Sequence, residues 1–271
     1  MNAEVHSASL IAIEHDAYGV PGVVSLTMNR PDAFNALSEA LLDALQSALA
    51  EAAQSDARVI VIAGAGRAFC AGHDLKEMRA APSLGYYQGL FARCTRLMMT
   101  IQRAPQPVIA RVQGVATAAG CQLVAMCDLA VAADTARFAV SGVNLGLFCA
   151  TPAVPLSRNL SRKAALEMLL TGDFIDAAEA RRQGLVNRAV PADALDAELA
   201  RLAASICEKP VEAVRAGKGL FYRQLEMGIE AAYQLAGQTM ACNMMDESAL
   251  EGVQAFIDKR PPDWKRQGGA T

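Results

Sequence analysis

The sequence predicts an α/β fold with a largely parallel sheet, crossover helices and a helical extension. Three observations predict it. Strand-like and helix-like apolar patterns alternate from Leu10 to Ala132. One of them, Val59-Ile60-Val61-Ile62-Ala63, is an unbroken run of the kind buried on both faces of a sheet. Beyond about Thr151 one helical pattern follows another. At 271 residues, 53% hydrophobic and 20% charged, the chain has the material for one domain with a peripheral extension and is not a disordered protein.

Residues 10–13 and 23–28 read as strands, and 38–53 as an amphipathic helix with Ser38 as its cap and Leu41, Leu42, Leu45 and Leu49 on its inner stripe. The central strand 59–63 ends at Gly64 and Gly66. Residues 86–103 read as a helix, 107–112 as a strand, 119–127 as a helix and 129–132 as a fourth core strand. Repeated in this order, strand and helix argue for parallel pairing. Helical patterns then cover 162–170, 177–183, 192–207, 211–226 and 229–245, with 185–190 the one strand-like stretch among them. Gly172, Gly184, Pro191 and Pro210 punctuate these helices. Their many Ala and Leu and few charges leave apolar surface for another subunit, so a homo-oligomer is expected. Residues 267–270 read as a frayed end.

Twenty-eight acidic against 25 basic residues give a net charge of −3, without a run of Lys or Arg to neutralise phosphates, which argues against a nucleic-acid partner. Residues 1–10 contain Glu4 and neither Lys nor Arg, unlike a secretory signal or an Arg-rich transit peptide, so a soluble cytoplasmic protein is expected. The apolar stretch 114–133 is interrupted by Gln122 and Asp128 and reads as a buried helix and strand, not a membrane span. Seven cysteines without a CxxC pair (Cys70, Cys94, Cys121, Cys127, Cys149, Cys207 and Cys242) read as reduced thiols.

Several motifs fail. After Gly64-Ala65-Gly66 the third glycine of a dinucleotide fingerprint would fall at Phe69, and no GxxxxGK[ST] stretch occurs. His6, His15 and His73 are too dispersed for a metal cluster, so no metal is expected. Adjacent His73 and Asp74 do not form a dyad by spacing, which leaves a serine hydrolase a minor reading.

What survives is a pair of Gly-rich breaks after core strands, 67–78 and 113–123, at the carboxyl edge where α/β proteins place their sites. A helix opening near Ala119 would aim free N–H groups at a developing negative oxygen; the glycines there also serve close packing equally well.

Taken together, Asn29-Arg30-Pro31, Asn35-Ala36-Leu37, Phe69-Cys70-Ala71-Gly72-His73-Asp74-Leu75-Lys76-Glu77, Ala119-Gly120-Cys121-Gln122-Leu123 and Cys127-Asp128 resemble the crotonase, or enoyl-CoA hydratase/isomerase, superfamily over almost the whole chain. The spellings at 72–77, 116–122 and 142–149 resemble its branch called enoyl-CoA hydratase domain-containing protein 3. The resemblance implies an α/β crotonase-like spiral of ββα units, with a core of residues 1–200 and a helical trimerisation region of residues 201–271. It also implies a homotrimer or dimer of trimers and an acyl-CoA thioester ligand, coenzyme A being part of the substrate and not a separate cofactor. The carbonyl oxygen would sit between the backbone N–H groups of His73 and Ala119. Ala33, Phe34, Ala71, Asp74, Leu75 and Gly120 would line the CoA path, with Phe256 and Lys259, from this or a neighbouring subunit, near its phosphates. Plainer readings stand beside these: Phe34 and Phe256 as core residues, Asp74 as a helix cap and Lys259 as a solvated charge.

The pattern departs from its family where the resemblance places two glutamates that position water and move its proton: Gln122 and Gly142 stand there. An amide can orient water but does not titrate near neutrality, and glycine offers only backbone. Positioned acid–base groups commonly contribute about 10²–10⁴-fold, so hydration of 2-enoyl-CoA is expected to be slow. Glutamate restored at both positions is expected to raise it. Other candidates near these loops are His73, Thr117, Cys121, Ser141, Asn144, Cys149 and Thr151. Among them the His73 imidazole is the best base and Cys149 a weaker nucleophile. The alternative to an enzyme is a non-catalytic acyl-CoA-binding or regulatory oligomer.

Overall fold

The computed structural model describes residues 9–80 and 82–264; the expectations placed on residues 1–8, His6 among them, and on 267–270 lie outside the described residues. The strands are β1 (Ile11–His15), β2 (Val23–Met28), β3 (Val59–Gly64), β4 (Ala68–Cys70), β5 (Val108–Val112), β6 (Val115–Thr117), β7 (Leu129–Ala133), β8 (Arg137–Ala139), β9 (Ile175–Asp176) and β10 (Arg188–Val190). They form a six-stranded sheet in the order β1-β2-β3-β5-β7-β10 and a four-stranded sheet in the order β4-β6-β8-β9. The helices are α1 (Glu39–Gln54), α2 (Leu75–Ala80), α3 (Leu84–Arg103), α4 (Ala119–Met126), α5 (Ala150–Asn159), α6 (Arg162–Thr171), α7 (Ala177–Gln183), α8 (Leu195–Cys207), α9 (Val211–Leu225), α10 (Ile229–Asn243) and α11 (Glu247–Ile257).

Strand β3 explains the layering. All six of its residues are buried, and it pairs in parallel with β2 and β5. Because successive side chains alternate in direction, Ile60 and Ile62 join the cluster under α1 and α3, while Val59 and Val61 join Leu195, Leu199 and Ala203 of α8 on the other face. Helix α1 begins where Ser38 accepts the Leu41 N–H at 3.1 Å, and buries Leu41, Leu42, Leu45 and Leu49.

Each of β3, β5 and β7 is followed by a three-residue strand of the second sheet, β4, β6 or β8, before a helix begins. This repeated ββα turn is the spiral. The short strands escape a reading by periodicity because three residues carry no period. Pairing is not wholly parallel: β1 and β2, joined without an α-helix, are antiparallel, as are β8 and β9. Helix α5 contains Pro152 and Pro155, which argue against a helix in the sequence; Pro152 falls in its first turn and Pro155 removes one backbone donor.

The region expected to start at residue 201 is entered midway along α8, whose Leu195, Leu199 and Ala203 are buried on the main sheet. Helices α9, α10 and α11 differ. Ala232 and Ala255 are their buried residues, while Tyr233, Met240 and Phe256, with Met245 between α10 and α11, stand exposed. What ties α9 to the core is a buried charge cluster: Lys218 Nζ lies 2.6 Å from Asp128 Oδ2 and donates to the carbonyls of Ile101 and Gln106, and Tyr222 donates to Asp128 Oδ1 at 2.7 Å. Burial pushes the Asp128 carboxyl up and the Lys218 ammonium down, with their mutual attraction opposing both. Among the described residues no helix is long and apolar enough to cross a membrane.

Candidate functional site

The carboxyl ends of the ββα turns open onto a cavity of about 640 Å³. Its wall comes from the segment after β2 (Arg30 to Ala36), the segment after β4 (Ala71 to Met78), Phe91 of α3, Ala118 and Ala119 at the start of α4, and the segment from Ser141 to Pro152. Two side-chain amides, the buried Asn35 and the half-buried Gln113, fix these loops. Asn35 accepts the Arg30 N–H and donates to the Ala65 and Ala68 carbonyls at 2.9 Å. Gln113 donates to the carbonyls of Gly64, Gly66 and Ala68.

At the centre the loop after β4 lies against the start of α4. Gly72 has φ +91°, and a Cβ there would stand 2.9 Å from Ala118 Cβ and 3.3 Å from the Ala119 nitrogen. A Cβ at Gly120 would meet the Cys70 carbonyl oxygen at 2.1 Å. Glycine at 72 therefore permits a left-handed turn and a contact that no side chain would allow. Leu37 bridges the same loop: its N–H goes to the Gly72 carbonyl at 2.7 Å, and its carbonyl takes the Asp74 N–H at 3.2 Å. That leaves the N–H of His73 between them. Neither it nor the N–H of Ala119 finds an acceptor among the described residues, and both residues line the cavity. Ala118, just before α4, holds φ +48° and ψ −118°, a strained conformation for a residue with a Cβ, and this strain sets the direction of the next N–H.

The titratable groups on the wall divide sharply. Asp74 pairs with Arg30 at 3.1 Å and accepts the Lys76 and Glu77 N–H groups, so it caps α2. Burial pushes its carboxyl up, but Arg30 and these N–H groups outweigh that and hold it below the usual carboxylate range. Arg30 also donates to the Ala36 carbonyl. The His73 ring packs edge-on against Phe91 at 5.6 Å, and neither ring nitrogen has a hydrogen-bond partner among the described residues. Burial lowers its pKa below the ordinary imidazole value, with the Leu37 backbone acting the other way. Cys149 Sγ accepts the Gly142 N–H at 3.3 Å, and burial pushes this thiol up, which makes it a poor nucleophile.

A family model described as enoyl-CoA hydratase/isomerase matches residues 20–267. The chain belongs to the enoyl-CoA hydratase/isomerase family. It is 47% identical over 244 residues, 90% of this chain and 81% of the relative, to enoyl-CoA hydratase domain-containing protein 3 of Mus musculus. Its fold matches the crystal structure of an enoyl-CoA hydratase from Mycobacterium smegmatis, at a TM-score of 0.91 and 62% identity over 94% of this chain and 98% of the other. It also matches human enoyl-CoA hydratase domain-containing protein 3, at a TM-score of 0.90 and 43% identity over 94% of this chain and all of that one. The crotonase-like fold and the resemblance to this branch, both read from the sequence, are borne out.

The expectation of a cytoplasmic protein is overturned. The relatives from mouse, rat, Xenopus laevis, human and zebrafish are all named as mitochondrial, so the lack of Lys and Arg in residues 1–10 is no guide to compartment.

Of the residues that the sequence assigns to the site of this enoyl-CoA hydratase/isomerase family member, Ala33, Phe34, Ala71, His73, Asp74, Leu75, Ala119 and Gly142 share the cavity wall, with Ser141, Cys149 and Thr151. Others stand off it. Gly120 packs on Cys70, Thr117 donates to the Ala71 carbonyl at 3.0 Å, and Cys121 is fully buried with its thiol pushed up to about 12. Asn144 is not on the wall. Gln122 lies behind it, 4% exposed, with its Oε1 lacking a partner among the described residues. Phe256 is 85% exposed on α11, and neither it nor Lys259 lines the cavity of its own chain. Among the described residues no group of three His, Cys, Asp or Glu side chains could hold a metal ion.

Three contributors carry no assignment from the sequence. Arg30 meets partners six and 44 residues away, Arg67 lies 4.3 Å over the Phe34 ring, and Phe91 reaches His73 from α3. Arg30 lies within a quoted motif, but nothing in the motif names its partners; the other two depend on contacts between distant segments.

Proposed function

We propose that the chain binds an acyl-CoA thioester in this cavity, receives its carbonyl oxygen between the N–H groups of His73 and Ala119, and hydrates 2-enoyl-CoA slowly. The observation that carries the proposal is the pair of backbone N–H groups without acceptors among the described residues, on loops that Gly72 allows to touch. A carbonyl oxygen that gains negative charge is the group such a pair stabilises, by about 3 kcal/mol per donor in enzymes where one has been removed. The apolar side chains of Leu145, Leu147 and Phe148, exposed at the wall, suit the acyl portion. Arg30, Lys76 and the Arg67–Phe34 stack suit the nucleotide portion.

Slow hydration follows from what the wall lacks among its described residues. Its carboxylates are Asp32, which is exposed, and Asp74, which is engaged by Arg30 and the α2 cap. Gln122 supplies an amide from behind the wall and Gly142 only backbone. The exposed faces of α9 to α11 support assembly into a trimer or a dimer of trimers, which would bring Phe256 and Lys259 of one subunit toward the CoA of another.

Calorimetry with an acyl-CoA, beside loss of conjugated-thioester absorbance with crotonyl-CoA and longer enoyl-CoAs, tests the reading. Binding with hydration at least about 10²-fold below an enzyme carrying both carboxylates is expected. Ordinary hydratase rates would refute the role given to Gln122 and Gly142, and failure to bind would refute the whole assignment.

A further inference from the structure

We propose that the ligand of this cavity is a medium- to long-chain acyl-CoA whose uncharged chain lies along the side chains of Leu145, Leu147 and Phe148. The proposal names the substrate class of the same site and rests on the acyl-CoA reading above.

The wall divides by charge. Among the described residues its charged groups are Arg30, Asp32, Asp74 and Lys76, all from the segments after β2 and β4. The segment from Ser141 to Pro152 contains no Asp, Glu, Lys, Arg or His. His73 brings its backbone N–H to the cavity and no base, because both ring nitrogens are buried beside Phe91. With the carbonyl at the two N–H groups and the nucleotide portion on the charged side, the acyl chain runs onto the uncharged side.

That side is open and apolar. Leu145 is 67% exposed, Leu147 49% and Phe148 46%, three large apolar side chains within four residues on one cavity wall. Single exposed apolar residues are ordinary on a protein surface, whereas a cluster of them lining a pocket marks a surface that a ligand covers. The backbone beneath them is pinned. Leu147 donates its N–H to the Gly142 carbonyl at 2.9 Å, Gly146 to the Val143 carbonyl at 3.1 Å and Ala150 to the Phe148 carbonyl at 2.8 Å. Gly146, at φ +77°, makes the left-handed turn between Leu145 and Leu147. A surface held in this way binds with little cost in ordering its own backbone.

Chain length follows from cover. A butyryl group ends close to the thioester and leaves most of this apolar surface in water, whereas a longer chain covers it. Each methylene taken fully out of water raises affinity about fourfold, and one that is half covered about twofold. Four added methylenes along a half-open wall therefore come to on the order of tenfold. A carboxylate at the far end of the chain would lie against a wall without a cation to pair with it, so dicarboxylic acyl groups are disfavoured.

The test is calorimetry of the full chain with butyryl-, hexanoyl-, octanoyl- and adipoyl-CoA, each below its micelle concentration. Octanoyl-CoA is expected to bind at least about tenfold more tightly than butyryl-CoA. Adipoyl-CoA, which ends its six-carbon chain in a carboxylate, is expected to bind at least about tenfold more weakly than hexanoyl-CoA. Leu145→Ser with Phe148→Ser changes two exposed side chains and is expected to lower the octanoyl-to-butyryl affinity ratio at least about threefold. Because the ratio is read within one protein, a smaller folded fraction does not imitate this effect, and Leu145→Ser alone supplies the ratio if the double variant binds neither thioester. Affinity that does not rise from butyryl to octanoyl in the wild type overturns the proposal and leaves the acyl-CoA reading standing. So does a ratio that the serines leave unchanged, or adipoyl-CoA bound as tightly as hexanoyl-CoA. A wild type that binds none of the thioesters removes both.

Discussion

Gly142 gives its backbone N–H to Cys149 Sγ at 3.3 Å, and a Cβ on Gly142 would stand 2.7 Å from that sulfur and 2.5 Å from the Leu147 carbonyl oxygen. Leu147 closes the segment from the other side by donating to the Gly142 carbonyl at 2.9 Å. The space for a side chain at 142 is therefore filled by the Leu147 backbone and the Cys149 sulfur. This corrects the expectation that glutamate at 122 and 142 would together restore hydration, because position 142 cannot receive one without rebuilding the loop. Gly142→Ala is expected to cost about 1–3 kcal/mol in urea unfolding. Gly142→Glu is expected to lower acyl-CoA affinity by calorimetry and not to raise hydration. A faster hydratase with intact affinity would show that the loop yields.

Gly72→Ala tests the contact that holds the two N–H groups together. The new Cβ would meet Ala118 Cβ at 2.9 Å and the Thr117 carbonyl oxygen at 3.1 Å, at a φ of +91° that penalises any side chain. A loss of about 1–3 kcal/mol in stability is expected, with acyl-CoA affinity down at least about tenfold as the donors move apart. Wild-type affinity in a stably folded Gly72→Ala would mean that the oxygen is not held where His73 and Ala119 meet.

Lys218→Met is expected to be far more damaging than its distance from the cavity suggests. It would strand Asp128 in a buried position with the Val108 N–H at 2.6 Å and the Tyr222 hydroxyl at 2.7 Å as its remaining donors. Removing one member of a buried pair typically costs about 3–5 kcal/mol. Adding Asp128→Asn should recover part of this, because it removes the stranded charge. A double-mutant cycle by denaturant unfolding measures the coupling, and independent, additive losses would contradict the geometry.

How much of this was legible in the sequence depends on the length of the signal. Strand β3 and helix α1 were plain because a six-residue apolar run and a capped Leu stripe each carry a period. Strands β4, β6 and β8 were not, since three residues have none, yet they place the loops around the cavity. His73 and Ala119 could be named from the motifs around them. Their unpaired N–H groups could not, because the carbonyls that satisfy their neighbours, on Leu37 and Ala139, lie far along the chain. Gly142 could be read as a missing carboxylate, but not as a position sealed by Leu147 and Cys149.

The buried His73 ring makes a prediction about acid. Its folded-state pKa lies below the ordinary imidazole value, and burial is the main cause. Between that lowered value and the unfolded value of about 6.5 the unfolded chain binds more protons than the folded one, so stability rises with pH across this window. The contribution is fully present above about 6.5 and is lost as pH falls through the folded value. Asp74 acts in a separate window: its carboxyl is held low, so its contribution is present above the usual carboxylate range and lost only in stronger acid. Denaturant unfolding followed from neutral pH downward should therefore lose stability just below 6.5 in the wild type. His73→Phe removes the titrating ring and keeps an aromatic against Phe91, so it should flatten that upper limb and leave the Asp74 limb in place. Identical profiles for the two proteins above the carboxylate range would show that the imidazole is solvated in the folded state.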